Sequence, residues 1–131
     1  MLGGIIRTLL LTDPTVGALL KGGVHPLILP QGTTAFPAIT YQRIATVRVR
    51  SQEGPSGLAR PRVQVDCWAK KFDQSAELGA AVRHRLDGYR GPVPGSEDVQ
   101  SIELVTDREE YDPQALLHRH SADYYVWHEE E

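Results

Sequence analysis

The sequence predicts an α+β fold: a mostly antiparallel sheet of about four to five strands, with helices packed on one face and a long projecting β-hairpin. The prediction rests on two long segments whose apolar residues alternate with polar ones, Ile39–Arg50 and Arg60–Ala69, and on an amphipathic helix that directly follows the second. A strand and a helix that each have one apolar face bury those faces against each other in two layers. The 131 residues are enough for a single domain, which we assign to 1–131.

The first part of the chain favours short helices and one short strand. Four apolar side chains follow helical spacing and give the first dozen residues one apolar face: Ile5, Ile6, Leu9 and Leu10. Asp13 suits a helix N-cap and Pro14 suits the first helical position, so a second helix is expected from Pro14 to about Lys21. Val24–Leu29 then predicts a short strand, which is expected to be an edge strand or an irregular one because Pro26 cannot donate to a ladder.

The two alternating strands predict the most distinctive surface of the protein. Paired antiparallel, they would be joined by the segment SQEGPSGLA, a connection of about nine residues and well beyond a tight turn. Such a loop projects, and Gly54, Pro55 and Gly57 suit a tip that settles against another surface. The base of this arm holds arginines that can form forked hydrogen bonds with carboxylates: Arg48, Arg50, Arg60 and Arg62. We therefore expect the arm to contact protein.

The strand and helix in the middle of the chain are predicted to form the nucleus of the core. One row of strand side chains is apolar: Val63, Val65, Cys67 and Ala69. In the helix, Leu78, Val82 and Leu86 recur every four residues, so the helix has one face to bury against that row. Asp73 is expected at the helix N-cap, and Gly88 is expected to end the helix because glycine tolerates a left-handed backbone.

Two more strands are predicted after this helix. Val99–Thr106 alternates imperfectly, which a β-bulge would explain. The acidic segment DREEYDPQ is expected to be a solvated loop. His120–His128 is rich in aromatic residues and is expected to be the last strand, before a charged tail at 129–131.

Composition and charge argue against several classes of protein. The formal net charge of −3 argues against a general nucleic-acid binder. The charge is uneven, because Arg43–Arg62 holds five arginines and one glutamate whereas 97–131 is mostly acidic. This polarity predicts either an ordinary solvated surface or head-to-tail association between copies. The single cysteine, Cys67, is expected to be an inert core residue. We expect no signal peptide and no membrane anchor, hence a soluble protein made in a reducing compartment.

Side chains with catalytic or metal-binding potential lack the spacing that such sites require. The best metal candidates are His118, His120 and His128, which have no fixed short-range ligand spacing and are interpreted as solvated. The acids of DREEYDPQ are Asp107, Glu109, Glu110 and Asp112, and they are interpreted as a solvated turn. We predict no catalytic residue, no metal, no cofactor and no enzymatic activity.

Three segments carry a resemblance to a known family: the run GPSGLARPRVQVDCWA, the helix ending VRHRLDGYRG and the terminal YYVWH. They resemble the small tail-completion or tail-terminator proteins of long-tailed bacteriophages, prophages and gene transfer agents. The resemblance spans nearly the whole chain and includes the helix broken at Asp13–Pro14 and the YQRI strand around Tyr41. It implies a structural virion protein that forms a homo-hexameric ring, caps the tail tube and joins it to the head-side connector.

The resemblance also implies partners and a location. The partners are other copies of the chain, the tail tube protein and the connector protein, with DNA passing through the lumen without sequence-specific binding. The location is the junction of tail and neck in a virion or phage-like particle, assembled from protein made in the host cytoplasm. The arm would then contact the next subunit or the tail tube. A nucleic-acid-binding module that uses the basic hairpin between Arg48 and Arg62 on phosphates is the alternative.

Overall fold

Helices come first along the chain and strands dominate the remainder. The computed structural model describes residues 2–51, 54–96 and 98–129, without the side chains of residues 47–51, 54–58 and 129. The described elements are α1 (Leu2–Leu11), α2 (Pro14–Leu19), β1 (Val24–Pro26), β2 (Ala38–Ser51), β3 (Gly54–Ala69), α3 (Phe72–Leu86), β4 (Val99–Asp112) and β5 (Leu117–Glu129). The longest described helix, α3, has 15 residues, and none of the described helices could span a membrane.

The strands form one open sheet in the order β1-β2-β3-β5-β4. β1 runs parallel to β2, and the other three pairings are antiparallel. The predicted α+β class and mostly antiparallel sheet are confirmed, with five strands. β1 is a short edge strand that ends at Pro26, as a residue without an N–H donor requires.

The helices cover one face of this sheet and bury the core against it. The predicted nucleus is confirmed, because Val65, Leu78, Val82 and Leu86 are all buried in one cluster. The apolar side of α1 joins the same cluster through Ile5, Ile6, Leu9 and Leu10. Tyr124 on β5 is the largest fully buried side chain. Burying these apolar side chains is the main source of stability in a domain of this size.

The helix ends follow the sequence signals with one exception. The Asp13 carboxylate accepts the Val16 N–H at 3.0 Å, which confirms the predicted cap of α2. Gly88 follows α3 with a positive φ of 83°, as expected. The prediction of Asp73 as the N-cap of α3 was wrong, because the cap position is Lys71 and the helix begins at Phe72. Asp73 lies in the first turn, where its charge still complements the helix dipole.

The predicted nine-residue loop was wrong, because the strands continue into it. Arg50 pairs with Pro55 and Ser51 with Gly54, which leaves residues 52 and 53 between β2 and β3. Within the described residues, the last pair between β3 and β5 is Leu58–Glu129, and Pro55 has a strand neighbour on one side only. A proline there interrupts no second ladder, which explains why turn-forming residues extend the hairpin.

The predicted acidic loop, 107–114, was also wrong from Asp107 to Asp112, because β4 continues to Asp112. Its charged side chains find partners across the sheet: Glu110 hydrogen-bonds Arg119, and Glu109 hydrogen-bonds His120 at 2.7 Å. These partners lie on β5 and are about ten residues away in sequence, so a local pattern does not show them. The predicted bulge is confirmed by the register shift between Leu104 and Thr106.

Candidate assembly interface

The hairpin of β2 and β3 extends past the rest of the sheet. The Arg48–Ala59 pair is level with His128 of β5 and Val99 of β4. The five further residues of β3 that lead to Gly54 carry the hairpin about 15 Å beyond that level at the usual rise per strand residue. The predicted projection is therefore confirmed, although it is built from paired strands and not from a loop.

The predicted interface residues fall into two groups on this hairpin. The projecting strands contain Arg50, Gly54, Pro55 and Gly57, with Arg48 where the projection begins. The backbones of this group lie in the β2–β3 ladder, and the side chains of its arginines lie outside the described residues. Arg60 and Arg62 form the second group, closer to the centre of the sheet.

The second group is held by side chains of β5. Arg62 donates to Asp123 Oδ2 from Nε at 3.0 Å and from Nη2 at 2.8 Å. This hydrogen bonding raises the pKa of the Arg62 guanidinium. Arg60 lies over the rings of Tyr125 and Trp127, at 4.2 and 5.4 Å from their centroids. The forked bond that the sequence assigned to a partner's carboxylate is thus made within the chain at Arg62.

The face of the sheet that the helices leave uncovered is polar, and its side chains hydrogen-bond and stack with one another. Arg119 stacks over Trp68 at 5.2 Å and hydrogen-bonds Glu110. The Trp68 indole N–H donates to Thr40 Oγ1 at 2.9 Å. Asp66 is buried on this face, 3.9 Å from Arg119. Long side chains therefore cover the shorter polar ones, and the face is ordered without a helix above it.

The histidines and acids of the C-terminal half have structural contacts. His120 lies between Asp107, at 3.6 Å, and Glu109, on the face that packs against α3. His118 lies against the rings of Phe72 and Tyr111. The carboxylate of Asp112 accepts the backbone N–H groups of Gln114 and Ala115. In the part of the chain that the structure describes, no group of three His, Cys, Asp or Glu side chains is placed to hold a metal ion.

The sheet has two long free edges that differ in charge. β1 covers β2 only from Ile39 to Tyr41, so the described residues leave β2 open from Gln42 to Ser51. We call this the basic edge, because 42–51 contains three arginines and no acid. β4 is the last strand on the other side, and residues 87–91 hydrogen-bond the first part of its outer side, where Gly91 bridges Val99. The described residues leave β4 open from 105 to 112, and we call this part the acidic edge, because it contains four acidic residues and one arginine.

Each free edge carries an exposed apolar residue at a β-bulge, which the sequence analysis missed. Ile44 is 48% exposed and lies at the register shift of β2, and Val105 is 37% exposed and lies at that of β4. One signal was available for the first: Arg43 stands where strict alternation from Tyr41 requires an apolar residue. Each apolar residue is the extra residue of its bulge and has no partner in the register of the neighbouring strand.

Comparisons with known proteins bear on this architecture. A family model described as "Tail completion protein gp17" matches residues 5–129. The chain is also similar to a chain of a solved structure described as "Virion of native gene transfer agent (GTA) particle". The two are 16% identical with a TM-score of 0.80, over 98% of this chain and 94% of that one, which shows a shared fold. No curated protein matched the chain. Since the family model spans nearly all of the sequence, the chain belongs to the tail completion protein gp17 family and is a structural protein of a virion tail.

Proposed function

We propose that this protein is a tail terminator: a subunit of a homo-oligomeric ring, a hexamer, that caps the tail tube and joins it to the head-side connector. The observation that carries the proposal is the open sheet, whose two free edges are long and opposite in charge. A chain with two unlike complementary surfaces can associate head to tail, and such contacts form a ring when the rotation between neighbours closes and a filament when it does not. Family membership supports placing that ring in a tail.

The projecting hairpin is proposed to contact the next subunit or the tail tube. Its outer part, which contains Arg50, Gly54, Pro55 and Gly57, extends beyond the chain's own sheet and has no fold partner on the β5 side among the described residues. Arg48, Arg60 and Arg62 then form the base of the contact. Backbone groups of strands that are paired on one side only can accept a further strand or loop.

The nucleic-acid alternative has less support than a protein contact. Arg62 would have to break its two hydrogen bonds to Asp123 before it could bind a phosphate. Strong binding of phosphates would also slow DNA that must slide through a lumen. Binding of DNA by the isolated protein with a steep salt dependence would favour the alternative.

The ring is tested by measuring the mass of the purified protein across concentrations and by imaging tails that carry it. We expect one closed oligomer in solution and a ring at the head-proximal end of the tail. Monomers in both settings would contradict the proposal.

The hairpin contact is tested by shortening the arm. Residues 49–58 are replaced by Asn-Gly, which closes the hairpin at the Arg48–Ala59 pair with a two-residue turn. We expect an unchanged circular dichroism spectrum and loss of ring formation or of attachment to tails. A matched control reverses the charge of Arg7, an exposed residue of α1 on the helix-covered side of the sheet, and should attach normally. Normal attachment of the shortened protein would refute the hairpin contact.

A further inference from the structure

We propose that the acidic edge of one copy pairs antiparallel with the basic edge of the next copy, so that the sheets of neighbouring subunits join edge to edge. This inference rests on the proposed ring and names the surface that builds it. The partner is a second copy of this chain, and the contact is a strand pair between the free part of β4 and the free part of β2.

The first argument is the open hydrogen-bonding capacity of both edges. Ten residues of β2, 42–51, and eight residues of β4, 105–112, have no strand beside them among the described residues, whereas residues 87–91 hydrogen-bond the outer side of β4 before that point. Unpaired strand edges are templates for pairing with another chain, and natural proteins limit this with charge, proline or bulges. Both edges here carry charges and bulges, and their lengths are similar enough for one to cover the other.

The second argument is that the charges select which edges can meet. Arg43, Arg48 and Arg50 lie on the basic edge, and the acidic edge includes Asp107 and Glu109. Opposite charges across a strand pair are favourable and like charges are unfavourable. Two basic edges, or two acidic edges, therefore repel each other, which disfavours a two-fold dimer. Only the unlike pairing remains, and it uses a different edge on each copy, as a ring requires.

The third argument is strand direction. β2, β3, β5 and β4 lie side by side, and each runs antiparallel to the next. β4 therefore runs opposite to β2. When a second copy continues the sheet in the same sense, its β2 lies beside β4 and runs antiparallel to it. The new strand pair is therefore antiparallel, like the neighbouring pairs within each sheet. Antiparallel pairing is also slightly more stable per residue than parallel pairing.

The fourth argument is apolar surface on both edges. Ile44 and Val105 are exposed in the single chain and lie one on each edge. Contact between the edges would remove apolar area from water at both residues. Isolated exposed apolar residues are common on protein surfaces, so this point supports the pairing only together with length, charge and direction.

The test is a charge exchange between two variants. The first variant carries Arg43→Glu, Arg48→Glu and Arg50→Glu, and the second carries Asp107→Lys, Glu109→Lys and Asp112→Lys. Each variant alone brings like charges together at every contact, whereas an alternating ring of the two restores opposite charges throughout. We expect each variant alone to raise the concentration for half-dissociation of the ring at least about tenfold, since three cross-strand pairs are reversed. We expect the equimolar mixture to form rings that contain both variants in equal number.

A single substitution keeps the inference testable if the second variant does not fold, because Glu109 accepts a hydrogen bond from His120. Ile44→Asp places an acid on the basic edge at a half-exposed position, and we expect it to weaken the ring. Leu116→Asp is the matched control: Leu116 is 67% exposed and lies in the turn between β4 and β5, so the ring should be unchanged.

The outcomes separate the two proposals. Wild-type protein that never associates overturns the ring, and the edge pairing with it. Wild-type rings together with normal rings from each charge variant alone, or from Ile44→Asp, overturn the edge pairing and leave the ring standing. The pattern that supports the pairing is wild-type rings, loss in each variant alone and recovery in the mixture.

Discussion

Replacing Gly79 with alanine tests how closely α3 packs on the sheet. A Cβ atom at Gly79 would lie 2.3 Å from Cδ2 and 2.4 Å from Cγ of the His120 ring. Both distances are below 3.0 Å, so an atom must shift. The ring has little freedom, because His120 is buried and its Nδ1 is 2.7 Å from Glu109 Oε1.

Two opposing effects decide the sign of the change. Alanine in place of glycine inside a helix contributes about 1 kcal/mol through helix propensity. Overpacking a filled core costs about 1–3 kcal/mol, and loss of the His120–Glu109 hydrogen bond adds about 1 kcal/mol. We therefore expect Gly79→Ala to lower the free energy of unfolding by roughly 1–3 kcal/mol.

Urea unfolding, followed by circular dichroism, measures this change. Gly4→Ala is the matched control, because Gly4 is an exposed residue of α1 and its added Cβ meets nothing within 4 Å. It should stabilise the protein by up to about 1 kcal/mol. Adding His120→Ala to Gly79→Ala should recover part of the loss if the ring is the obstacle. A Gly79→Ala protein as stable as the wild type would refute the close packing.

Three other predictions concern the core, a helix cap and alkaline pH. Leu86→Ala should lower the free energy of unfolding by about 2–5 kcal/mol in a urea titration, because the side chain is fully buried, and a loss below about 0.5 kcal/mol would contradict its packing. Asp13→Ala should cost about 0.5–2 kcal/mol by removing the cap of α2, whereas Asp13→Asn should cost much less, and equal losses would refute the capping. Burial raises the pKa of the Cys67 thiol and of the Tyr124 hydroxyl above their ordinary values of 9.0 and 10.0, so the unfolded state releases these protons first. Stability should therefore fall as pH rises past about 9, and Cys67→Ala should reduce the fall; a flat profile would contradict this assignment.

The sequence was informative where a local pattern determines the structure. The core nucleus was predicted from the alternation around Val65 and from the four-residue spacing of Leu78, Val82 and Leu86. These spacings alone determine which residues share one face of a strand or helix. Pro26 predicted an edge strand for the same reason: the missing donor is a property of one residue.

The sequence was misleading where the deciding partner is distant. Pro55 and its neighbouring glycines are typical of loops, yet they extend the hairpin because β2 is the only strand that pairs with β3 there among the described residues. The acids that begin at Asp107 are typical of a solvated turn, yet they lie in β4 because His120 and Arg119 face them from β5. Neither strand neighbour is visible in a window of a few residues.

The arginines of the arm show the same limit for the candidate site. Their closeness in sequence suggested one basic cluster. The register places them in separate rows of the sheet: Arg48 pairs with Ala59, whereas Arg60 pairs with Val47. Arg62 is held by Asp123, a residue that lies 61 positions away in the chain. Composition locates the charge, and only strand pairing shows which arginines can face a partner.

The position of β5 in the sheet has a consequence for how the chain folds during synthesis. β5 is the last of the five strands to be made, but it lies between β3 and β4 and holds them together. Until residues 117–129 are available, β3 has a bare side and β4 has no neighbour in the sheet. The β2–β3 hairpin is local and can form early, whereas closing the sheet joins segments about 60 residues apart and is slower. A polypeptide interrupted before β5 would display a hairpin without the opposite edge beside it, so unfinished chains would be poor substrates for incorporation into a growing particle.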